Sequence, residues 1–183
     1  MLQSTLAAEL RAAALRLDAE VAALEGVSEE SLGWTPPDGG WGVGQVLEHL
    51  CLAHDSYVER IRTLIARGEP VAPPAAEWKP TLIGGMLVRS FRSPRRLPAP
   101  RIYRVGPLAR PRVAAELRAR QRDLDALLVA AAPLHWARLH TTSPVSSLVR
   151  VNLGDCFRIL VEHAARHMHQ IARVRAVAGH PPA

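Results

Sequence analysis

Cysteine, aromatic residues and long apolar runs are all scarce in this sequence of 183 residues. Its two cysteines, Cys51 and Cys156, are too few for the disulfide framework of a small secreted protein. Phe, Trp and Tyr provide only 4% of the residues, so Leu, Ala and Val must fill the core. The N-terminal segment pairs no basic stretch with an apolar run, and it therefore predicts neither a signal peptide nor a membrane span. We accordingly expect a cytoplasmic protein without a membrane partner.

Lysine is almost absent too, because Lys79 is the only one and arginine supplies the other 22 of the 23 basic residues. The net charge is +6, and residues 89–122 hold eleven arginines against a single acid, Glu116. Such a segment raises the hypothesis of a polyanion-binding surface. Base stacking there would fall to Phe91 and Tyr103 alone, and a high pI without a clustered basic face is weak support. We therefore disfavour a nucleic-acid partner.

Alanine and leucine, by contrast, are plentiful, and both favour helix. In four segments the apolar residues recur at steps of three and four residues, which is the period of one helical face. No internal repeat is evident and no strand is expected. The sequence therefore predicts an all-α protein, a four-helix bundle in one domain over residues 1–183. The four predicted helices cover residues 6–24, 41–67, 111–131 and 152–178.

A long Pro-rich crossover is predicted between the second and third helices. Residues 69–111 contain nine prolines and no sustained periodicity, although residues 81–91 could hold a short helix. A loop of this length is unusual unless it has a function or lies packed along the domain. Residues 133–147 are predicted to form a second, shorter loop.

Two histidines in the fourth predicted helix, His163 and His167, carry the clearest chemical signal. They are four residues apart, so both imidazoles leave the same helical face, and Ile159 and Ile171 flank that face. Two imidazoles placed in this way can occupy adjacent positions around one metal ion. A pair of hydrogen-bonded core histidines is the alternative interpretation. His169 lies about 200° round the helix from His167 and is excluded as a third ligand.

The second predicted helix offers two candidates for a third ligand, His49 and His54. They lie about 140° apart around that helix, so only one is expected to face the metal. We prefer His49, which borders the apolar stripe and has the small Ala53 one turn on, but periodicity alone discriminates weakly. Gln170 is a candidate partner for the second ring nitrogen of a ligand histidine, with a solvated position as the alternative.

Two blocks of the sequence resemble the DinB-like superfamily. Gly40-Trp-Gly-Val-Gly-Gln-Val-Leu-Glu-His-Leu50 is similar to the start of that family's second helix, which leads into a ligand histidine. His163-Ala-Ala-Arg-His-Met-His-Gln-Ile171 is similar to its His-x-x-x-His motif followed by Gln-Ile. One departure is Gly42, where the family has Ser or Thr as the helix cap.

This resemblance implies a fold, a metal site and a class of reaction. The implied fold is a four-helix bundle in up-down-down-up order. By match, the implied metal ligands are His49, His163 and His167, and the metal is divalent: zinc, nickel, iron or manganese. The family includes transferases and isomerases linked to low-molecular-weight thiols, so a thiol cofactor and a small-molecule substrate are the implied partners.

Three hypotheses of function follow from the sequence. Three histidines leave open positions on a metal ion, which favours metal-dependent thiol S-transfer or hydrolysis, although no general base can be assigned. The second hypothesis is a non-catalytic, stress-related metal-binding bundle. The third and weakest is polyanion binding. A homodimer is compatible with each of them, and catalysis itself stays open at this point.

Overall fold

The computed structural model describes residues 1–70, 76–93, 98–106, 110 and 112–181, and this part of the chain is mostly helical. The four longest helices fall where the periodicity predicts them, although the predicted start of the third at Pro111 lies outside the described residues. None of the described helices combines the length and apolarity needed to cross a membrane. The helices are α1 (Gln3–Ala22), α2 (Glu29–Gly33), α3 (Val43–Arg67), α4 (Leu82–Phe91), α5 (Val113–Ala131) and α6 (Leu153–Arg175), with a 3₁₀ turn at Arg101–Tyr103.

The long helices α1, α3, α5 and α6 surround one apolar core. Contacts run from α1 to α5, from α5 to α3, from α3 to α6 and from α6 back to α1, so each long helix packs on two others. Leu and Val dominate the buried positions, as the scarcity of aromatics requires, with Trp136 and Phe157 among the few buried rings. The helical class is as predicted, while the up-down-down-up order stays a prediction.

The expectation that the chain has no strand is wrong. Strands β1 (His140–Ser143) and β2 (Ser146–Asn152) form an antiparallel hairpin within and just after the segment predicted as a loop. Neither strand shows a strict alternation of apolar and polar residues in the sequence, because β1 has no apolar residue and Leu148 and Val149 are adjacent in β2. The hairpin matters for the site because β2 leads directly into α6.

The start of α6 is fixed by Asn152 and Asp155. The Asn152 side chain accepts a hydrogen bond from the Asp155 backbone N–H at 2.9 Å, and the Asp155 carboxylate accepts one from the Asn152 N–H at 3.2 Å. This reciprocal capping box satisfies two backbone donors at the end of the helix. The crossover is packed against the same point, because the buried Trp78 donates from Nε1 to Asn152 at 3.0 Å.

Helix α4 confirms the short helix expected in the crossover, and it too is tied to α6. Thr81 donates to the Asp155 carboxylate from its backbone N–H at 3.0 Å and from its hydroxyl at 2.7 Å. Gly84 lies over the same carboxylate, so closely that a Cβ there would overlap it. Helix α4 therefore lies along α6 and can close one side of a site built on that helix.

The departure at Gly42 has a local explanation. A Cβ at Gly42 would overlap the backbone carbonyl oxygen of Trp34, so Ser or Thr cannot stand there without moving the preceding segment. The cap is made differently, because the Gly42 N–H donates to Gln45 Oε1 at 3.1 Å. Helix α3 consequently starts at Val43, within two residues of the predicted start at Trp41.

Candidate metal centre

The three histidines singled out in the sequence converge on one point. His163 Nε2 lies 3.1 Å from His49 Nε2 and 3.1 Å from His167 Nε2. Two nitrogens bound to one tetrahedral zinc ion at about 2.0–2.1 Å lie about 3.3 Å apart, so the spacing is within a few tenths of an ångström of a coordination sphere. Among the described residues, these three form the only group of three or more His, Cys, Asp or Glu side chains close enough to share a metal ion.

The hydrogen bonds of the Nδ1 atoms determine the tautomer of His49 and His167, and hence whether their Nε2 atoms carry a proton. His49 Nδ1 lies 2.9 Å from the Tyr103 carbonyl oxygen, and His167 Nδ1 lies 2.9 Å from Gln170 Oε1. Both oxygens can only accept, so both Nδ1 atoms carry the proton and donate it. The Nε2 atoms of His49 and His167 therefore present lone pairs, which is the arrangement of metal-ligating histidines.

Hydrogen bonding among the three rings cannot by itself satisfy this arrangement. His163 Nε2 carries at most one proton and can donate it in good geometry to only one of its two neighbours. At the other 3.1 Å contact, the lone pair of the neighbouring Nε2 then has no donor hydrogen to accept. A cation between the three nitrogens satisfies all of them, so the donor set fits a divalent metal better than it fits a core hydrogen-bond network.

Burial keeps all three imidazoles neutral. Loss of hydration is the largest cause of the lowered pKa of each ring: it lowers the pKa of His167 to about 3 and that of His163 well below its ordinary value. The neighbouring imidazoles lower the pKa of His163 and His167 further. The pKa of His49 is also lowered by burial, in opposition to its hydrogen bond with the Tyr103 carbonyl. Neutral imidazole is the form that binds metal.

The triad opens into a cavity of about 1130 Å³. Trp41 and Phe91 stand on either side of the histidines, with ring centroids 5.0 Å from the His49 ring and 5.1 Å from the His163 ring respectively. Pockets of this size hold small molecules in other proteins. The histidines therefore have room for a substrate beside them, unlike the ligands of a closed structural site.

The other candidate residues lie elsewhere. His54 lies in a separate groove between α3 and α5, and His169 is exposed on α6. Glu48 accepts hydrogen bonds from Arg110, and Asp55 is bound by Arg120, so neither carboxylate reaches the triad.

Sequence reasoning missed the contribution of the crossover. Tyr103 supplies a backbone carbonyl to His49, while its hydroxyl lies 2.7 Å from Ser56 Oγ on α3 and its ring packs edge-on against the His49 ring. A backbone carbonyl leaves no mark in a sequence, because every residue has one. The sequence signal that could have pointed to this residue is a tyrosine within an otherwise Pro-rich and Arg-rich segment.

Comparison with known proteins identifies one family. A model of the DinB superfamily matches residues 11–171, which is most of the chain. No curated protein and no solved structure gives a significant match.

Proposed function

The chain belongs to the DinB superfamily, and from that premise we propose that it binds a divalent metal ion through His49, His163 and His167 and acts as a metal-dependent thiol S-transferase or hydrolase. The observation that carries this proposal is the convergence of three Nε2 atoms, two of them held as lone-pair donors, at the wall of a large cavity. We propose with it that the four long helices form the up-down-down-up bundle. Of the candidate metals, zinc, nickel and iron suit an imidazole donor set, whereas manganese favours oxygen ligands.

The proposed reaction requires a thiol or a water molecule that loses its proton near neutral pH. A divalent ion with open coordination positions lowers the pKa of a bound thiol or water and so supplies a nucleophile near neutral pH. In S-transfer, a sulfur–carbon bond forms, the bond from that carbon to its leaving group breaks, and the leaving group departs with the electron pair. The proton of the thiol passes to water. Hydrolysis differs in that water replaces the thiol.

The chain's own residues hold and enclose the reacting groups. His49, His163 and His167 act as ligands only, because burial keeps them neutral and their Nδ1 partners fix their orientation. The rings of Trp41 and Phe91 limit access of water to the histidines. No Asp or Glu of the described residues joins the triad as a ligand, and Asp38 is the one acid among the described residues that line the cavity.

The lack of a carboxylate ligand among the described residues also supports an alternative, a non-catalytic metal-binding protein. His49 lies on α3 whereas His163 and His167 lie on α6, so one ion would cross-link two long helices. In this alternative, removal of the metal lowers the melting temperature and abolishes no reaction. A stabilisation of about 2.7 kcal/mol is expected when free metal is at 100 times its Kd.

Elemental analysis of the purified protein and three variants tests the metal site. We expect one metal ion per chain in the wild type and in His169→Ala, which removes an exposed imidazole of the same helix. We expect loss of the ion in His49→Ala and in His163→Ala, because two remaining ligands hold a metal weakly. A wild-type protein that takes up no divalent ion, or a His49→Ala variant that keeps it, would contradict the proposed triad.

Catalysis is tested separately with the metal-loaded protein. A panel of low-molecular-weight thiols is combined with alkylating electrophiles, and loss of the thiol is followed with time. Turnover that disappears on chelation and in His163→Ala supports the transferase. Stoichiometric metal without turnover of any thiol, ester or amide tested would favour the non-catalytic alternative.

A further inference from the structure

The cavity beside the triad is elongated along α6. On that helix its wall extends from Ile159 to Val174, which corresponds to about 22 Å at 1.5 Å per residue. His163 and His167 lie near the middle of this length, so the cavity continues past the histidines in both directions. Its volume of about 1130 Å³ leaves room for two reactants as well as an ion.

The antiparallel course of α3 and α6 determines which residues share each end. Trp34, just before α3, packs on His180, just after α6, with ring centroids 5.0 Å apart. At the opposite end, the Tyr57 hydroxyl lies 3.3 Å from Ser143 Oγ in the hairpin that leads into α6. Residues that follow His49 on α3 are therefore close to residues that precede the triad on α6.

One end of the cavity, here called the apolar end, is built from hydrocarbon surface. The Tyr57 hydroxyl is already partnered by Ser143, which leaves its ring as the contact surface. Helix α4 contributes a leucine to this end, and its Phe91 ring lies 5.1 Å from the His163 ring, measured between centroids. None of the lining residues is charged, so burial of an apolar group here is favourable. The apolar end is lined by Ala53, Tyr57, Leu87, Val145, Ile159 and Leu160.

The opposite end, here called the polar end, carries charged and amide groups. Asp38 belongs to the turn before α3, whereas Gln170 and Arg173 come from the last turns of α6. Arg166 lies at the level of the triad and is already engaged, since it donates to the Phe91 carbonyl at 3.0 Å. The polar end also has apolar surface, which comes from Pro36, Pro37, Val174 and Val177. The two ends therefore differ in that charged side chains line only the polar end and the level of the triad.

We infer that the substrate of this protein carries an aliphatic or aromatic hydrocarbon group that binds in the apolar end, next to the carbon that reacts. The hydrophilic reactant, a thiol or water, enters through the polar end. This inference rests on the proposed function for the reaction itself. Binding of a hydrocarbon group in the apolar end does not depend on the metal, and this separates the two tests.

Calorimetric titration with unbranched 1-alkanols from butanol to octanol measures the apolar end directly, with and without chelator. We expect the Kd to fall about threefold to fourfold for each added CH₂, because each buried methylene contributes about 0.8 kcal/mol. Leu87→Gln makes the half-buried α4 wall of the apolar end polar, and we expect it to weaken octanol binding at least fivefold. The matched control is Val177→Gln at the polar end, which should change the Kd less than twofold.

Two outcomes would overturn the inference: a Kd independent of chain length, or an equal loss in Leu87→Gln and Val177→Gln. Val145→Asn, at an exposed turn of the apolar end, provides a second variant if Leu87→Gln fails to fold, and it should also weaken octanol binding. Chain-length dependence in a wild-type protein that takes up no divalent ion would disprove the proposed function and retain the apolar site. Metal binding without chain-length dependence would retain the proposed metal site and disprove the apolar site.

Discussion

Among the described residues, His54 is the polar side chain whose burial is least offset by hydrogen bonds. It is 3% exposed, and neither ring nitrogen has a hydrogen-bond partner within the described part of the chain. Burial lowers its pKa to about 4, although the Asp55 carboxylate acts in the opposite direction. An imidazole in an unfolded chain titrates near pH 6.5. The folded protein therefore keeps His54 neutral in a range where the unfolded chain is protonated.

The sign of the resulting pH dependence follows from this difference. Between about pH 6.5 and 4 the unfolded state binds one more proton than the folded state at His54, so stability falls as the pH is lowered. A shift of this size corresponds to about 3 kcal/mol. Between pH 7.5 and pH 4, we expect the free energy of unfolding of His54→Leu to fall by about 3 kcal/mol less than that of the wild type, because the variant lacks the titrating group. Urea unfolding of both proteins at pH 7.5 and pH 4 measures it, and parallel losses would contradict the assignment.

The individual ligands could be predicted from the sequence to different degrees. His163 and His167 follow from their spacing, because four residues make one helical turn whatever the tertiary fold. The choice of His49 over His54 needed the family resemblance, since both border buried surface on α3 and both are in fact buried. The Tyr103 carbonyl could not be predicted, because it depends on how the crossover folds back onto α3.

Among the elements, α4 is the one that connects the start of α6 to the wall of the cavity. Gly84 faces the Asp155 carboxylate, whereas a Cβ at the neighbouring Gly85 would meet only Pro80, at an ordinary 3.8 Å. The two glycines thus form a matched pair on one helix. Both would gain helix propensity on replacement by alanine, by at most about 1 kcal/mol.

We therefore expect Gly84→Ala and Gly85→Ala to have opposite effects. Gly84→Ala forces α4 away from Asp155 and should destabilise the protein by about 1–3 kcal/mol, as overpacking does. Gly85→Ala should be neutral or slightly stabilising. Thermal and urea unfolding measure both. Because α4 also carries Leu87 of the apolar end, Gly84→Ala should in addition weaken octanol binding. Equal stability of the two variants would show that α4 is not held at Asp155.

The length of an element determines whether its sequence pattern can be recognised. Helices of about 20 residues repeat their apolar period several times, so their positions were predicted within a few residues. Helix α2 has five residues and strand β1 has four, so neither completes enough repeats to be recognised. The hairpin was missed because β1 is short and β2 lacks a strict alternation, yet it positions the first turn of α6 and thereby the histidines that follow.

For the whole molecule, the ion pairs of the arginines change how the excess of arginine is interpreted. In residues 89–122, several arginines are paired with acids, although Arg95 and Arg96 lie outside the described residues. Most of their partners lie on a different element, on α1, α3 or α6 or, for Glu25, just after α1, so these arginines connect elements instead of forming one uniform cationic face. The pairs are Arg92 with Glu162, Arg110 with Glu48 and Glu116, Arg118 with Asp18 and Glu25, Arg120 with Asp55 and Glu116, and Arg122 with Asp18.

This pairing predicts weak binding of nucleic acid despite the net charge of +6. Phosphate contacts gain their free energy by releasing counterions, and an arginine already neutralised by a carboxylate has little of this to offer. We expect fluorescence anisotropy with a labelled duplex to give a Kd weaker than about 1 μM at 150 mM salt, which is the range of non-specific binding. A tighter complex with a steep salt dependence would restore the polyanion hypothesis.

Asp18→Asn provides the matched comparison, because Asp18 contacts both Arg118 and Arg122. Removal of that carboxylate leaves more uncompensated positive charge on one face, so we expect tighter DNA binding at low salt than in the wild type. Asp125→Asn releases only Arg11, which lies outside the arginine-rich segment, and should have a smaller effect. If both variants bind DNA as the wild type does, the carboxylates do not mask the arginines, and weak binding would then need another cause.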